Sequence, residues 1–231
     1  MKNDAINVLD HGLVRLVDSM GSDLSVVRAA RVSYDAAWRA GDDTGSDERL
    51  IKRLWKDRHT SPFEAVEFQF EVKAPIFVFR QWHRHRTWAF NELSARYREL
   101  PEEFYVPNAS DIGVQSSANK QGRSLTGDMV EAERREEAEA LRRHSEQSFD
   151  LYRKLLGNGW PRELARSVLP VSTYSHMFAK VDLRNLLGFL DLRCDPHAQY
   201  EIRVYAEALL TLAEQVAPVC VAAWKAGRPD V

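Results

Sequence analysis

Residues 84–97 read Arg84-His85-Arg86-Thr87-Trp88-Ala89-Phe90-Asn91-Glu92-Leu93-Ser94-Ala95-Arg96-Tyr97. This segment mixes guanidinium and imidazole groups with an amide (Asn91), a carboxylate (Glu92) and a hydroxyl (Ser94). Arginine offers planar, bidentate contacts to phosphate or carboxylate that lysine cannot match. Because the chain as a whole has a net charge of −2, this local concentration of cations predicts a pocket for a phosphorylated small molecule.

Two other interpretations of the arginine-rich segment remain open. A nucleic-acid surface would need supporting Lys and Arg residues elsewhere, and the net charge of −2 speaks against it. A structural network of ion pairs would need carboxylates in similar number, and Glu92 and Glu99 are too few. The pattern therefore favours the pocket.

The composition of the 231 residues is 44% hydrophobic and 29% charged, as in ordinary globular proteins. The charge balance argues against a general binder of nucleic acids or membrane surfaces. Two cysteines, Cys194 and Cys220, are too few for a disulfide framework and form no Cys-x-x-Cys metal site. The N-terminal residues lack the apolar core of a signal peptide, and no apolar run approaches the ~20 residues of a membrane helix. We therefore expect a soluble, cytoplasmic protein with no nucleic-acid or membrane partner.

The apolar periodicity predicts one mixed α/β domain over residues 1–231, with more helix than strand. Strands are predicted at 12–18, 64–73 and 171–181, the second one alternating cleanly between apolar and polar residues. Helices are predicted at 23–31, from residue 47, and at 75–83, 131–156, 161–170, 182–192 and 197–224. Pro218 is expected to kink or end the last helix. Residues 108–127 are predicted to form a long loop, in which the segment from Gln115 to Arg123 is expected to close over a ligand.

A second polar group lies at the junction of the last two predicted helices. It consists of Arg193, Asp195, His197, Gln199 and Glu201. A helix N-terminus at this point can hold an anion, and a capping box at Asp195 explains the same residues equally well. No glycine-rich dinucleotide or nucleoside-triphosphate loop is present.

The histidines and Cys194 carry weaker signals. The spacing of His59, His83, His85 and His197 matches no metal-ligand motif, so no metal is predicted. Cys194 has a histidine nearby, as a nucleophile would. A buried small residue is the preferred interpretation of Cys194, since free cysteines are among the most buried residues.

The segment 84–97 closely resembles the signature Arg-His-Arg-x-x-Ser-x-Asn-Glu-x-Ser-x-Arg-Tyr of flavin-dependent thymidylate synthases. Similar stretches follow the family's order between about residues 12 and 217, at 30–34, 59–64, 73–78, 165–170 and 192–199. The resemblance implies the family's mixed α/β fold, helix-rich around a central, mostly antiparallel sheet. It also implies a homotetramer whose active sites combine several subunits.

The activity implied by the resemblance is the methylation of dUMP to dTMP. The family takes its one-carbon unit from 5,10-methylenetetrahydrofolate and its hydride from FAD, which NADPH reduces. No enzyme cysteine attacks the pyrimidine in this family, in agreement with the interpretation of Cys194 as a buried residue.

The resemblance also assigns roles to individual residues. Those expected to hold FAD are Ser61, Arg84, His85, Arg86, Glu92, Asp182, Arg184 and Gly188. Those expected to hold the nucleotide are Gln81, Arg84, Glu92, Ser94, Ala95 (through its backbone), Arg96, Arg166 and Arg193. Arg193 is expected to lie against the uracil ring and favour its ionised form. His59 is expected at the folate side of the flavin, where it positions groups or transfers a proton.

Three positions depart from the family's pattern. The first serine of the signature is Ala89, and two asparagines frequent near the flavin are replaced by Asp182 and Gly188. We interpret these departures as differences between subgroups. A carboxylate at position 182 would repel the FAD phosphates unless only its backbone makes contact.

Two alternatives to a synthase remain. The first is a relative that keeps the flavin and nucleotide pocket but has lost or changed the methyl transfer. The second is a non-catalytic protein that uses the same arginines to bind nucleotides or RNA. Bound flavin would exclude the second alternative, and salt-sensitive RNA binding by a colourless protein would favour it.

Overall fold

The structure is a computed structural model that describes residues 5–127 and 129–228. Its strands are β1 (Ile6–Val8), β2 (Gly12–Met20), β3 (Glu67–Pro75), β4 (Ala89–Glu92), β5 (Val114–Gln115), β6 (Arg123–Ser124) and β7 (Tyr174–Asp182). Its α-helices are α1 (Asp23–Arg31), α2 (Thr44–Lys56), α3 (Ile76–Trp82), α4 (Glu131–Gly157), α5 (Arg162–Ala165), α6 (Leu183–Arg193), α7 (Tyr200–Val216) and α8 (Pro218–Ala226). Short 3-10 turns lie at Val32–Tyr34, Ala37–Arg39, Ser61–Ala65, Ala109–Asp111 and Arg166–Val168.

The main sheet has five strands in the order β1-β2-β3-β7-β4, and all four pairings are antiparallel. The central strand β3 carries the alternation seen in the sequence, with Phe68, Phe70 and Val72 fully buried. Strand β4, within the arginine-rich segment, forms an edge of the sheet and pairs only with β7 among the strands described. The mixed α/β fold with an antiparallel sheet is therefore confirmed, while the domain limits 1–231 stay a prediction.

Helix α7 is fixed to the sheet by a close approach at Gly12. A Cβ at Gly12 would lie 2.0 Å from the Tyr205 hydroxyl, and that hydroxyl donates a hydrogen bond of 2.8 Å to the carbonyl of Lys73. Glycine is needed at position 12 because any side chain would push the helix away. The contact holds the N-terminal end of α7, and the polar residues before it, in a set position relative to the sheet.

A smaller hydrophobic cluster supports the segment that contains Arg166. Phe104, Phe149, Tyr152 and Ala165 pack together between α4, α5 and the chain after the arginine-rich segment. This cluster is separate from the main core and positions α5 and Arg166.

Several predicted elements need correction. Strand β1 was not predicted, and the predicted strand at 64–73 begins only at Glu67, because Pro62 lies in a 3-10 turn that extends to Ala65. The predicted loop at 108–127 contains the hairpin β5–β6. The helix predicted at 161–170 is short and ends in a 3-10 turn.

The predicted capping box at Asp195 is wrong. The N-cap residue of α7 is Gln199, and the helix predicted at 197–224 is two helices that meet at Ala217 before Pro218. Asp195 instead accepts hydrogen bonds from the backbone N–H of His197 at 2.7 Å and from its ring at 2.9 Å. This is a local turn of the kind that Asp favours. Because these hydrogen bonds of Asp195 go to His197, its side chain does not cap the helix.

Candidate active site

The ends of α3 and α6 bring three of the predicted site residues together. The Arg193 Nε–H donates to Nε2 of His85 at 3.1 Å, and an Nη of Arg193 lies 3.4 Å from the backbone carbonyl oxygen of Gln81. The Gln81 amide donates in turn to the side-chain oxygen of Gln199, just before α7. We call Gln81, His85, Arg193 and Gln199 the arginine cluster.

Arg193 is a fixed cation that no carboxylate neutralises in the part of the chain described. Burial lowers the pKa of Arg193, yet a guanidinium stays charged in proteins. Burial, and then the charge of Arg193, lower the pKa of His85 to about 4. His85 is therefore neutral near pH 7, with Nε2 as acceptor and the proton on Nδ1. The arrangement orients the guanidinium without cancelling its charge, which leaves it available to a developing anion.

The lowered pKa of His85 predicts a loss of stability in acid. The ordinary value is 6.5 and the folded value about 4, so between these two values the unfolded chain binds more protons than the folded one. The free energy of unfolding therefore falls as the pH drops through that window. His85→Gln keeps an acceptor for Arg193 but does not titrate, and we expect a smaller fall in its melting temperature between about pH 7.5 and about pH 5.

Thermal unfolding followed by circular dichroism measures this difference. His144→Gln is the matched control, because His144 is exposed on α4, and it should keep the pH dependence of the unchanged protein. An acid loss of His85→Gln equal to that of the unchanged protein would contradict the prediction.

A second group of predicted residues lies along the chain after β4. Glu92 accepts a hydrogen bond of 2.6 Å from the Ser175 hydroxyl of β7. The Ser94 hydroxyl accepts from the backbone N–H of Arg96 at 3.3 Å, which sets a tight turn, and Ala95 is buried. The Arg96 guanidinium lies 3.3 Å from the carboxylate of Glu163, with both side chains more than half exposed.

Arg166 is exposed in the 3-10 turn that follows α5, three residues after Glu163. The ion pair of Arg96 with Glu163 thus links the segment after β4 to the element that carries Arg166. Exposed ion pairs contribute little to stability, so a phosphate can replace Glu163 as the partner of Arg96 at small cost.

A third group lies at the N-terminal end of α6. The carboxylate of Asp182 caps the helix, accepting from the backbone N–H of Asn185 at 2.9 Å and from its side-chain amide at 2.5 Å. Arg184 forms an ion pair with Glu64, in the turn that also contains Ser61. Because the Asp182 carboxylate caps its own helix, we expect only the backbone of this residue to contact a flavin.

The last predicted residues are open to solvent. Gly188 is exposed on α6, and a Cβ at this position would meet nothing within 4 Å, so the chain itself does not require glycine there. His59 is exposed after α2, its backbone N–H bonded to the carbonyl of Leu54 at 2.8 Å. The exposed side chain of His59 is free to meet a ligand.

The surroundings of Arg84 and Arg86 show whether these residues suit the phosphates of a flavin nucleotide. Both are exposed just after α3, and within residues 5–127 and 129–228 neither has a carboxylate within ion-pair distance. Unpaired guanidinium groups side by side on a near-neutral chain suit the diphosphate of FAD. The residues present therefore fit the cofactor.

The group at the N-terminal end of α6 and the arginine cluster are separated by the length of that helix. Arg184 and Arg193 are at opposite ends of α6, roughly 14 Å apart along the helix axis at a rise of 1.5 Å per residue. The predicted flavin residues Ser61, Asp182 and Arg184 thus lie at the end of the helix opposite the arginine cluster.

A cavity of about 710 Å³ lies between the hairpin β5–β6 and the start of α7. Its walls include Arg123, His197, Gln199, Glu201 and Arg203. Arg123 bonds to the buried carboxylate of Glu201 at 2.9 Å and lies over the ring of Tyr200, 5.2 Å from its centroid. Neither Arg123 nor Glu201 was predicted as a site residue, although Glu201 belongs to the second polar group noted in the sequence.

Cys194, directly after Arg193, is half-buried, and burial raises the pKa of its thiol to about 11. A thiol that stays protonated near pH 7 is a poor nucleophile. No group of three or more His, Cys, Asp or Glu side chains that could hold a metal occurs in the described part of the chain. None of its helices is long and apolar enough to cross a bilayer.

We expect Cys194→Ala to keep its activity within about twofold, because the thiol is protonated and the substitution removes one atom. Steady-state turnover with dUMP measures this. Cys220→Ala, at a fully buried position, controls for the loss of a thiol from the core. An inactive Cys194→Ala that keeps its fold and its flavin would overturn a mechanism without a cysteine.

Comparison with known proteins identifies the relatives of this chain. The model of the thymidylate synthase complementing protein family matches residues 15–219. A flavin-dependent thymidylate synthase of Gluconobacter oxydans is 48% identical over 222 residues, which cover 94% of this chain and 71% of the relative. An enzyme of that name from Thermus thermophilus is also 48% identical and covers 95% and 78%.

Among solved structures, a UMP/dUMP methylase, PolB, from Streptomyces cacaoi bound with 5-Br dUMP superimposes with a TM-score of 0.85. Its sequence is 43% identical to this one, and the match covers 96% of this chain and 97% of that one. A second structure of the same enzyme, bound with 5-Br UMP, gives a TM-score of 0.84 at 40% identity.

Proposed function

This chain belongs to the flavin-dependent thymidylate synthase family, and we propose that it methylates dUMP to dTMP. The observation that carries the proposal is the contact between Arg193 and His85, residues 108 positions apart in sequence that the fold brings to 3.1 Å. Both residues were expected at the site from the resemblance to the family, and the contact leaves the cation oriented and unneutralised. A fixed cation at this position stabilises the negative charge that develops on the uracil ring.

The cofactor is FAD, held by Arg84, His85 and Arg86 with Ser61 and Glu92, and by Arg184 and the backbone of Asp182 on the other side. The group supplies the hydride once NADPH has reduced it, and 5,10-methylenetetrahydrofolate supplies the carbon. The unpaired guanidinium groups of Arg84 and Arg86 support this assignment. Gly188, with open space beside it, gives the flavin close access to α6.

The nucleotide is held by Gln81, Arg84, Glu92, Ser94 and Ala95, together with Arg96 and Arg166. The weak, exposed ion pair of Arg96 with Glu163 supports a phosphate position there, because a dianionic phosphate competes well for an exposed guanidinium. Arg193 faces the uracil, and His59 serves the folate side.

The complete site is shared between subunits of a homotetramer in this proposal. The distance along α6 between Arg184, on the flavin side, and Arg193, in the arginine cluster, supports it. In this proposal, side chains of a partner subunit complete the pocket that these groups form only in part. A cytoplasmic location, where dUMP and reduced folate meet, completes the proposal.

UMP is a second candidate substrate. The match to PolB of Streptomyces cacaoi covers both chains almost completely, and the names of its two structures include UMP as well as dUMP. Parallel turnover assays with dUMP and UMP test this candidate. Methylation of dUMP alone restricts the chain to thymidylate synthesis, and comparable rates would extend the activity to the ribonucleotide.

The visible spectrum of the purified protein, before and after addition of dUMP, tests the main proposal. Bound oxidised flavin whose bands shift with dUMP places both ligands in one site. Folate-dependent formation of dTMP then separates a synthase from a relative that has lost the methyl transfer. A colourless protein that cannot take up FAD would overturn the proposal and favour the nucleotide- or RNA-binding alternative.

A further inference from the structure

Glu201, in the first turn of α7, is a buried carboxylate with three donors. Its side chain is 4% exposed. It accepts from Nη1 of Arg123 at 2.9 Å, from Nε2 of Gln199 at 2.8 Å and from the Tyr105 hydroxyl at 3.3 Å. A buried carboxylate is tolerated only when it is paired and hydrogen-bonded in this way. The position of Glu201 is therefore fixed from several directions.

The carboxylate decides how the Gln199 amide is turned. The two ends of an amide group have nearly the same shape, so its orientation must be inferred from its partners. An ionised carboxylate only accepts hydrogen bonds, so Gln199 must direct its NH₂ group towards Glu201. The Gln199 oxygen then faces the other way, where it accepts from the amide of Gln81.

The orientation of Gln199 sets that of Gln81 by the same logic. Because Gln199 presents an oxygen, Gln81 must direct an N–H towards it. The side-chain oxygen of Gln81 accepts from no other group in the described part of the chain. It belongs to the residue whose backbone carbonyl contacts Arg193, and Gln81 and Arg193 are both proposed to hold the nucleotide.

We propose that Glu201, acting through Gln199, orients the Gln81 amide so that its carbonyl oxygen faces the nucleotide as a hydrogen-bond acceptor. Glu201 and Gln199 are positioning residues, and the inference rests on the proposed binding of dUMP near Gln81. The group recognised is a hydrogen-bond donor of the nucleotide. A sugar hydroxyl and the N3–H of the uracil ring before it ionises share this chemistry.

Binding of dUMP to the flavin-loaded protein, measured by calorimetry, tests the orientation. In Glu201→Gln, the amide at position 201 can present either its oxygen or its NH₂ group to Gln199. The orientations of the Gln199 and Gln81 amides are then no longer fixed. We expect the Kd for dUMP to rise about tenfold, the effect of one hydrogen bond to a ligand. In the Gln81→Ala background the same substitution should change the Kd by less than about twofold, because the group it orients is absent.

Two further variants keep this test interpretable. Gln199→Leu removes both amide contacts but leaves Arg123 and Glu201 paired, and its exposed position tolerates the change; we expect the same tenfold rise and the same dependence on Gln81. Glu214→Gln, on the exposed part of α7 where Glu214 pairs with Lys225, is the matched control and should bind dUMP as the unchanged protein does. A purely structural role of Glu201 would weaken binding equally with and without Gln81, and that result would overturn the proposal.

Nucleotide analogues identify the donor. We expect the unchanged protein to bind either 2′,3′-dideoxy-UMP or N3-methyl-dUMP about tenfold more weakly than dUMP, and Glu201→Gln and Gln199→Leu to lose this preference. Weaker binding of the dideoxy analogue would identify the sugar hydroxyl as the donor, and weaker binding of the N3-methyl analogue would identify the N3–H. Equal binding of both analogues and dUMP would overturn the proposal. Failure of the unchanged protein to bind dUMP at all would contradict the proposed function. Normal dUMP binding that is insensitive to Glu201 and Gln199 would contradict only the orientation by Glu201.

Discussion

Replacing Arg193 with alanine is expected to reduce turnover by about 10²- to 10³-fold while the protein keeps its flavin, as when a fixed group that stabilises a developing charge is removed. The guanidinium is oriented by His85 at 3.1 Å and by the Gln81 carbonyl at 3.4 Å. It is half-buried, so its field is less screened than that of a surface arginine. The predicted flavin residues at the other end of α6 are untouched by this substitution.

Single-turnover measurements with preloaded dUMP separate the chemical step from binding. Arg193→Lys should recover only part of the rate, since an ammonium group cannot donate to His85 and the carbonyl in the same planar geometry. Arg143→Ala, on the exposed face of α4 where Arg143 pairs with Glu139, removes the same type of side chain and should turn over normally. An Arg193→Ala protein that binds flavin and turns over at the normal rate would remove Arg193 from the mechanism.

Replacing Arg84 with alanine is expected to weaken binding of FAD or of dUMP by about 10- to 100-fold, the usual loss for a charge-assisted hydrogen bond. Arg84 is exposed at the end of α3 without a carboxylate partner in the described residues, so its removal costs no internal ion pair. The loss should therefore appear in ligand binding and leave the melting temperature of the ligand-free protein nearly unchanged.

The flavin-to-protein ratio after gel filtration measures the first ligand, and calorimetry with dUMP measures the second. Arg53→Ala is the matched control, because Arg53 is also exposed near a helix end and, among the residues described, forms its ion pair with Asp57 at the end of the same helix. Unchanged binding of both ligands to Arg84→Ala would contradict the assignment of the arginine-rich segment to the ligand pocket.

Local signals predicted much of the fold correctly. The alternation of Phe68, Phe70 and Val72 predicted the central strand, and Asp182 was identified as the N-cap of α6. These features depend on neighbours within a few residues, so short windows of sequence contain them. The helix predicted at 197–224 is present from Tyr200 and is interrupted at Pro218, as predicted. The capping box at Asp195 was wrong, because Asp195 forms a turn with His197 before the helix begins.

The sequence by itself determined the family, since the signature at 84–97 is contiguous, and it predicted which residues form the site. Only the tertiary structure decided which of these side chains meet. Gln81 and Gln199 are 118 positions apart, and Arg123 and Glu201 are 78 apart. Such contacts depend on how α7 packs against the sheet at Gly12 and Tyr205. No local sequence pattern shows which residues this packing brings together. The burial that lowers the pKa of His85 likewise depends on contacts distant in sequence, such as that of its ring with Phe189 of α6.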